Sequence, residues 1–575
     1  MGVNAAIFES GGKRTEHYVP GAYSRSYNIT SPGGVSSGNM VILGKSTGGE
    51  PMKLLSFGSL ADAKKTLVGD ELLTAVGYAF NCSNAYTPQK VYAMRVNEGT
   101  QSTAMLKSGD NDVLELKSWD WGAHANQLKI WIQSGTAEGS KKISIVYKDE
   151  SYVVDNIIRQ SMEIQYIGDG TSATCSISNG KINLTAMDES SEPADSFEFS
   201  FEDYSTLAQL AARINDTDVY VCTVKATDGD EPTAELDTVT SADIMTEKVL
   251  CSNLSAIIEA IEDCSLIGSV TLKSEARTVI DNTDGYIYFT EGTIGSYTAT
   301  EWAKALEVLE AEDIQIISTP STEDTVQTLI SAHCTSMNST DNRKERTCIL
   351  GGSIGESDDA GKLKAKGFNS KFVSYVVDSA TASNPITGAS EKISGAVLGV
   401  MLAAMESAMA VNMPLTNKAL NVLGFGKTRT ITNMGELIQA GIMVCNANPD
   451  NQSELVCIRA MTTFQGKNDL ISCERSMVRE DLYMNRDLRG RFAGKVGLPN
   501  DGSTTAIIQT LKDAAREWAN SGYIVPSESN ENVWNIKVRI NGDKIYLDFS
   551  RYLTAPTNFV FITAVNQVYT SSVEL

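Results

Sequence analysis

Histidine is nearly absent from this chain: His17, His124 and His333 are the three in 575 residues. Imidazole-based catalysis or metal binding would need one of them beside a nucleophile or several at ligand spacing. No G-x-S-x-G or comparable context surrounds any of them, and no ligand spacing occurs. They read as structural residues, His17 in a terminal arm, His124 in a tryptophan-flanked turn and His333 on the inner stripe of a helix. The ten cysteines include no C-x-x-C pair. They point to reduced, mostly buried thiols of a cytoplasmic setting, and away from disulfides or zinc. Positive charge is short as well: 48 Lys and Arg against 71 Asp and Glu leave a net charge of -23. That balance argues against a phosphate-neutralising face, hence against direct nucleic-acid binding. No apolar run reaches bilayer length; the most apolar, 395–405, ends at Glu406 and suits a buried helix, so no membrane insertion is expected. The opening residues lack a hydrophobic core followed by a small-residue cleavage site, so no secretory signal is expected.

Two motifs fall short of chemistry. Gly424-Phe425-Gly426-Lys427-Thr428 ends like a phosphate-binding loop, but Asn421 stands where its opening glycine belongs. Asp281, Asn282, Asp284 and Gly285 lack calcium-loop spacing and read as a turn. Neither a catalytic residue, nor a cofactor, nor a metal is expected.

What is present is length and pattern. A chain of 575 residues, 42% hydrophobic, should make roughly three or four domains. Residues 1–39, rich in Gly, Ser and Pro, form an arm with short strand candidates at 4–8 and 22–29. A strand at 40–43, a helical stripe of Leu72, Leu73, Val76, Ala79 and Phe80, and a strand at 91–96 begin an α/β rhythm. Short alternating segments at 113–116, 127–132, 142–147, 162–166, 181–184 and 197–201 break it. With a helix at 207–214 and a strand at 219–224, they predict an inserted β-sandwich-like domain. Asp228, Asp230 and Glu231 mark its acidic character.

The rhythm then resumes. Thr298 and Glu301 make a capping box, and Trp302, Ala305, Leu306 and Leu309 share a helix face. Strands at 314–317, 347–350 and 372–377 alternate with a helix bearing Val326, Leu329, Ile330 and His333, and a helix at 393–409 closes the region. This implies a parallel sheet with right-handed crossovers. Beyond Leu415 come a helix capped by Asn433 and Glu436 and stopped at Gly441, a hairpin of 441–445 with 455–462, and helices at 479–491 and 504–520. The fold class is multidomain α/β and α+β. A central α/β domain (40–100 and 271–412) carries the inserted β-rich domain (101–270), and an α+β carboxy-terminal domain (413–555) follows. Extended arms (1–39 and 556–575) close both ends.

The last stretch organises the rest. Ile536, Val538 and Ile540 alternate with polar residues, Asn541-Gly542 offers two positive-φ turn positions, and Ile545, Leu547 and Phe549 carry the return strand. Beyond Pro556 a strand at 558–569 is apolar on both faces: Phe559, Phe561 and Val565 on one, Val560, Ile562 and Ala564 on the other. Such a strand either lies inside its own sheet or is lent to a neighbour through main-chain pairing. Between Arg459 and Lys495, eight basic residues (Arg459, Lys467, Arg475, Arg479, Arg486, Arg489, Arg491, Lys495) outnumber five acids. They form either a solvated helix face or a dock for an acidic partner, including another copy of the chain.

Taken in order, the segments resemble a family. Tyr18-Val19-Pro20-Gly21-Ala22-Tyr23, Val41-Ile42-Leu43-Gly44, 56–80 and Val91-Tyr92-Ala93-Met94-Arg95-Val96 resemble the opening of contractile phage tail sheath proteins. The stretch from Glu291-Gly292 to Leu306, then 314–320 and Cys348-Ile349-Leu350, is similar to their central α/β unit. Pro414-Leu415-Thr416-Asn417-Lys418, 436–441, Arg459-Ala460-Met461-Thr462-Thr463 and 479–497 resemble their carboxy-terminal domain, in the form found in Gram-positive phages and phage-like bacteriocins. Trp121-Gly122, with Asn126 ahead of 129–132, resembles the start of the inserted domain in that branch. Order, not any one motif, carries the resemblance, which is weakest in 133–270. The Asp, His and Ser contexts of a subtilisin-like protease are missing, so no protease activity carries over.

The resemblance implies a non-enzymatic subunit that stacks in six-fold rings around an inner tube. Contraction of that sheath drives the tube through a bacterial envelope for genome delivery. Its partners would be other copies, joined by arm exchange, the inner tail tube protein, and baseplate and tail terminator proteins. Its place would be the virion, after assembly in the host cytoplasm. The lent strand would present Phe559, Val560, Phe561, Ile562, Ala564 and Val565. Tube or neighbour contacts would fall to Lys512, Arg516, Arg486, Arg489, Arg491 and Lys495, and the inserted domain would face outward. The competing expectation is an α/β enzyme, with or without dependence on a nucleotide, with an accessory β domain.

Overall fold

Met40, Val41, Ile42 and Leu43 expose no surface at all, which a strand achieves only when both faces of its sheet are covered. The computed structural model describes the backbone of Ala6–Ser10 and Lys13–His17 and, in full, residues 38–566 apart from 228, 467, 500 and 501. Strand Met40–Gly44 lies inside a six-stranded sheet ordered Val373–Val376, Thr347–Gly351, Ile316–Ser318, Met40–Gly44, Val91–Arg95, Leu54–Phe57. All neighbours run parallel except the last pair. Alternation along the strand divides the core. Met40 and Ile42 pack with helices Asp70–Phe80 and Gly395–Ser407, while Val41 and Leu43 pack with Ala299–Leu309 and Asp324–Met337. The capping box of Thr298 and Glu301 forms as expected.

Helix Gly395–Ser407 is buried nearly all round, and among the described residues no helix is long and apolar enough to cross a membrane. It approaches the sheet closely because Gly351 faces Gly395: a Cβ on Gly351 would lie 2.2 Å from the Gly395 carbonyl carbon.

Residues 97–295 leave this sheet and return beside it, and they hold two buried centres where one sandwich is expected. In the first, strands Gln101–Ser108, Asn111–Trp121 and Ile267–Leu272 face Lys129–Ser134, Lys141–Tyr147, Glu150–Ile157 and Ile287–Tyr288, with helix Asn253–Glu262. In the second, strands Gln160–Tyr166, Tyr220–Val224 and Lys248–Cys251 join Ser172–Ser178, Lys181–Met187, Pro193–Ser200 and Val239–Asp243 around helix Leu207–Asn215. Alternation marks which side of each strand is apolar, but not which sheets share a core.

Three local expectations are corrected. The helix expected to be capped by Asn433 and Glu436 begins at Ile431, and its cap is Thr430, whose hydroxyl accepts from the Asn433 N–H; Gly441 does follow its end, at φ +78°. The terminal hairpin pairs Trp534–Asn541 with Lys544–Ser550, so its turn is Gly542-Asp543 and only Gly542 has positive φ. That register sets Ile540 opposite Ile545 and Val538 opposite Leu547, whereas a turn one residue earlier would set Ile540 opposite Asp543. The long strand at 558–569 is absent from 558–566, and 567–569 lie outside the described residues. The strand candidate at 22–29 also lies outside them; Ala6–Ser10 pairs with Lys13–His17.

Candidate functional site

Phe559, Val560, Phe561, Ile562 and Val565 expose 66%, 75%, 92%, 87% and 80% of their surface, and Ala564 is exposed with them. As an internal strand this segment is corrected: among the described residues no strand of its own subunit pairs with it. Such a run of large apolar side chains in water is a surface awaiting cover. The chain is anchored just before it. Tyr552–Leu553 pairs with Ile524–Val525, and the Thr554 N–H donates to the Tyr523 carbonyl at 3.1 Å. Arg551 reaches Asp481 and Asn485 at 2.8 and 2.9 Å. At the point of departure, Asn558 donates to Glu474 at 3.2 Å, and the Arg459 guanidinium lies over the Phe559 ring at 5.5 Å.

The neighbouring hairpin is a second unfinished surface. Its two strands have no third among the described residues, and an unpaired strand edge is a template for another chain. Ile536, Leu547 and Phe549 pack toward Trp518 and helix Thr504–Asn520, leaving Ile545 and Tyr546 partly exposed. Beside it opens a cleft of about 520 Å³ lined chiefly by Phe492, Val496, Leu498, Ile507, Ile545 and Leu547.

The basic run is not a free cationic face. Helix Arg475–Ala493 begins inside the protein. Arg475 donates to both oxygens of Glu406 and also to the Cys348 carbonyl, the Ser374 hydroxyl and the Thr347 hydroxyl, at 2.7 to 3.1 Å. Arg479 donates to the Glu406 carbonyl at 3.2 Å. Farther along, Arg486 meets Asp313, Arg489 meets Glu345, and Arg491 meets Asp487 and Glu517. These residues tie the helix to the central body and to helix Thr504–Asn520. Arg516 pairs with Asp513 at 3.3 Å, while Lys495 and Lys512 are exposed. Lys467 lies outside the described residues. Glu406 was visible in the sequence as the carboxylate closing an apolar helix, but nothing local names its partner, 69 residues away.

The near-miss motifs are absorbed into structure. Lys427 of the Gly-rich loop donates to the Glu356 carbonyl at 2.9 Å and to Asp358 at 2.7 Å. Arg429 bridges Asp358 and Asp378 beneath it. Asp281 accepts from the Gly109 N–H, and Asn282 bonds Lys141 and Ser134. Among the described residues no group of His, Cys, Asp and Glu could hold a metal ion. His333 is buried against Arg346, whose Nη1 lies 3.0 Å from its Nε2. Burial and that cation push its pKa down to about 4. His124 is buried 3.0 Å from Asp120.

One buried structural residue was missed by sequence reasoning. Arg95, wholly buried, donates to the carbonyls of Asn97, Gly49, Trp121 and Ile294 at 2.8 to 2.9 Å. It thereby fastens both connections of the inserted region, outgoing and returning, to the central sheet. Its position at the end of an apolar strand was the available signal.

No protein-family model matches the chain. It is 23% identical over 588 residues to the tail sheath protein of Bacillus phage SP01, covering 98% of this chain and 97% of the other. It is 30% identical over 144 residues to the tail sheath protein of Staphylococcus phage Twort, a quarter of this chain (25%) and 24% of that protein. The crystal structure of the sheath tail protein from Desulfitobacterium hafniense superposes with a TM-score of 0.51 at 13% identity, covering 93% of this chain and 100% of that one.

Proposed function

We propose, on the premise that this chain is a relative of phage tail sheath proteins over almost its whole length, that it is the structural subunit of a contractile tail sheath. It polymerises as six-fold rings around an inner tube and contracts to drive that tube through the bacterial envelope. The observation that carries this reading is the exposed apolar run Phe559–Val565, which follows in the chain a two-stranded hairpin with open edges. Residues 556–570 of the carboxy-terminal arm are lent to a neighbour by strand addition, and residues 1–39 are the other connector.

Linkages of that kind survive while whole domains rotate. Contraction is then a rigid-body rearrangement from a metastable long state to a more stable short one, and it needs no nucleotide. The central and carboxy-terminal domains form the wall, the inserted lobes face outward, and the tube meets the carboxy-terminal domain. With their ion pairs in place, Arg486, Arg489 and Arg491 serve the subunit's own rigidity, and exposed Lys495 and Lys512 are the better candidates for the tube. Baseplate and terminator proteins bound the ends of the assembly in the virion.

Negative-stain microscopy of the purified protein tests the reading. Long hollow cylinders are expected. Discrete monomers or dimers that a nucleotide stabilises against heat would replace it with the enzyme reading.

A further inference from the structure

We propose that Glu474 is a proton-operated latch on the root of the carboxy-terminal arm: the arm sits over the neutral acid and lifts as the carboxyl ionises. Among the described residues beyond Thr554, the side chains make one hydrogen bond to the body of the subunit, Asn558 Nδ2 donating to Glu474 Oε2 at 3.2 Å. Glu474 exposes no surface and stands immediately before helix Arg475–Ala493. Three side-chain atoms at this contact are buried without a hydrogen bond: the acceptors Glu474 Oε1 and Asn558 Oδ1, one on each member of the bonded pair, and the donor Arg459 Nε, which faces Oε2.

The two oxygens are both acceptors when the carboxyl is charged, and two buried acceptors cannot satisfy each other. A proton on Oε1 removes the conflict. The acid O–H then donates to Asn558 Oδ1 while Asn558 Nδ2 donates to Oε2, giving a two-bond ring between acid and amide. Without the proton, Arg459 faces the charge at Oε2, but Oε1 still stands without a donor beside the Asn558 carbonyl oxygen, and hydration by lifting the arm is the available relief.

The charged group facing Glu474 is Arg459, from strand Leu455–Arg459, with Nε 3.5 Å from Oε2; Cys473 is the neighbouring titratable side chain. Burial pushes the carboxyl's pKa up, and Arg459 and Asn558 pull against that. The buried acid therefore keeps its proton to higher pH than a hydrated one. The seated arm is most stable in acid and loosens as pH rises through the raised value. The consequence for assembly rests on the arm-lending reading above, while the latch itself belongs to the isolated subunit.

Hydrogen exchange of the Thr554 amide, bonded to the Tyr523 carbonyl at the root of the arm, in the dilute, unassembled full-length chain, corrected for intrinsic rate and followed from about pH 5 to about pH 9, tests it. Wild type should lose protection progressively, tenfold for each pH unit over which seated and lifted states differ by one bound proton. Glu474→Gln, whose amide can both donate and accept as the neutral acid does, should stay protected throughout. Asn558→Ala, an arm substitution outside the hydrophobic core clusters, should be unprotected at every pH. Glu480→Gln is the control: that carboxyl is also raised by burial, to about 8, but faces Arg479 and Arg551, and the wild-type slope should persist. A slope unchanged in Glu474→Gln or Asn558→Ala, or abolished in Glu480→Gln, would overturn the latch. Because no polymer is present, either result is separate from the cylinder test.

Discussion

Arg475 grips Glu406 with two hydrogen bonds, 2.8 Å from Nε and 2.7 Å from Nη2, while the two side chains expose only 1% and 2% of their surface. The pair joins the first turn of the long helix to the end of the most apolar one, at the centre of the subunit. Burial alone would raise the Glu406 pKa, but Arg475 and Arg479 outweigh it and hold the carboxyl below its ordinary range. Removing one partner strands a charge. Arg475→Met should destabilise the subunit by about 3–5 kcal/mol in denaturant titration, and Arg475→Met with Glu406→Leu and Arg479→Met, which removes the whole buried charge cluster, by much less. Equal losses in both variants would mean that packing, not charge, is what the pair supplies.

Arg95 should behave differently, because its partners are carbonyls. In Arg95→Met the acceptors at Gly49, Asn97, Trp121 and Ile294 lose their buried donor, at about 1–3 kcal/mol for each that water cannot reach. The connections at 97–100 and 290–297 should then become the first sites of limited proteolysis, with the central body intact. Wild-type resistance in the variant would show that the inserted lobes are held by other contacts.

Asp237 supplies a pH dependence with a definite sign. Its two oxygens accept from the Asn253 and Leu254 N–H groups at the start of helix Asn253–Glu262, where Ser252 makes no side-chain cap. Burial raises its pKa from 3.8 to about 6, against the pull of those two bonds. The native state therefore holds a proton that the unfolded state has released, and stability falls as pH rises across that window, by roughly 3 kcal/mol in all. His333 has the opposite slope over nearly the same range, because its buried neutral ring must be charged in acid. The difference between wild type and Asp237→Asn is therefore the quantity to measure, and it should vary with pH between about 4 and 6.

Deleting residues 557–575 should leave a folded subunit with an unchanged far-ultraviolet spectrum that no longer forms cylinders. Phe561→Asp, which places charge where 92% of the side chain meets water in the isolated subunit, should block assembly without altering its melting temperature. Cylinders of normal length from either variant would count against arm exchange.

Local pattern made much of the fold legible. The strand Met40–Gly44 follows from a continuous apolar run, and the face of Trp302, Ala305, Leu306 and Leu309 and the helix Thr504–Asn520 from a period of 3.6 residues. Where two local solutions competed, the pattern was silent. Thr430 and Asn433 are both good caps, and the hairpin could turn at either of two positions until Ile540 found Ile545. The apolar run Phe559–Val565 was legible as adhesive but not as unpaired, since hydrophobicity says that a strand seeks burial and not in which molecule.

Amino-acid order alone determined the alternation of elements, the scarcity of histidine, the apolar tail and the similarity to tail sheath proteins, because each is written in neighbouring residues. Tertiary structure decided the rest: that the basic run is mostly neutralised from within, that Arg95 and Arg475 are buried fasteners, and that the arm departs over a carboxyl without enough partners. Those outcomes depend on charges brought together across tens or hundreds of positions, and the energy of a buried charge is set by what surrounds it in space.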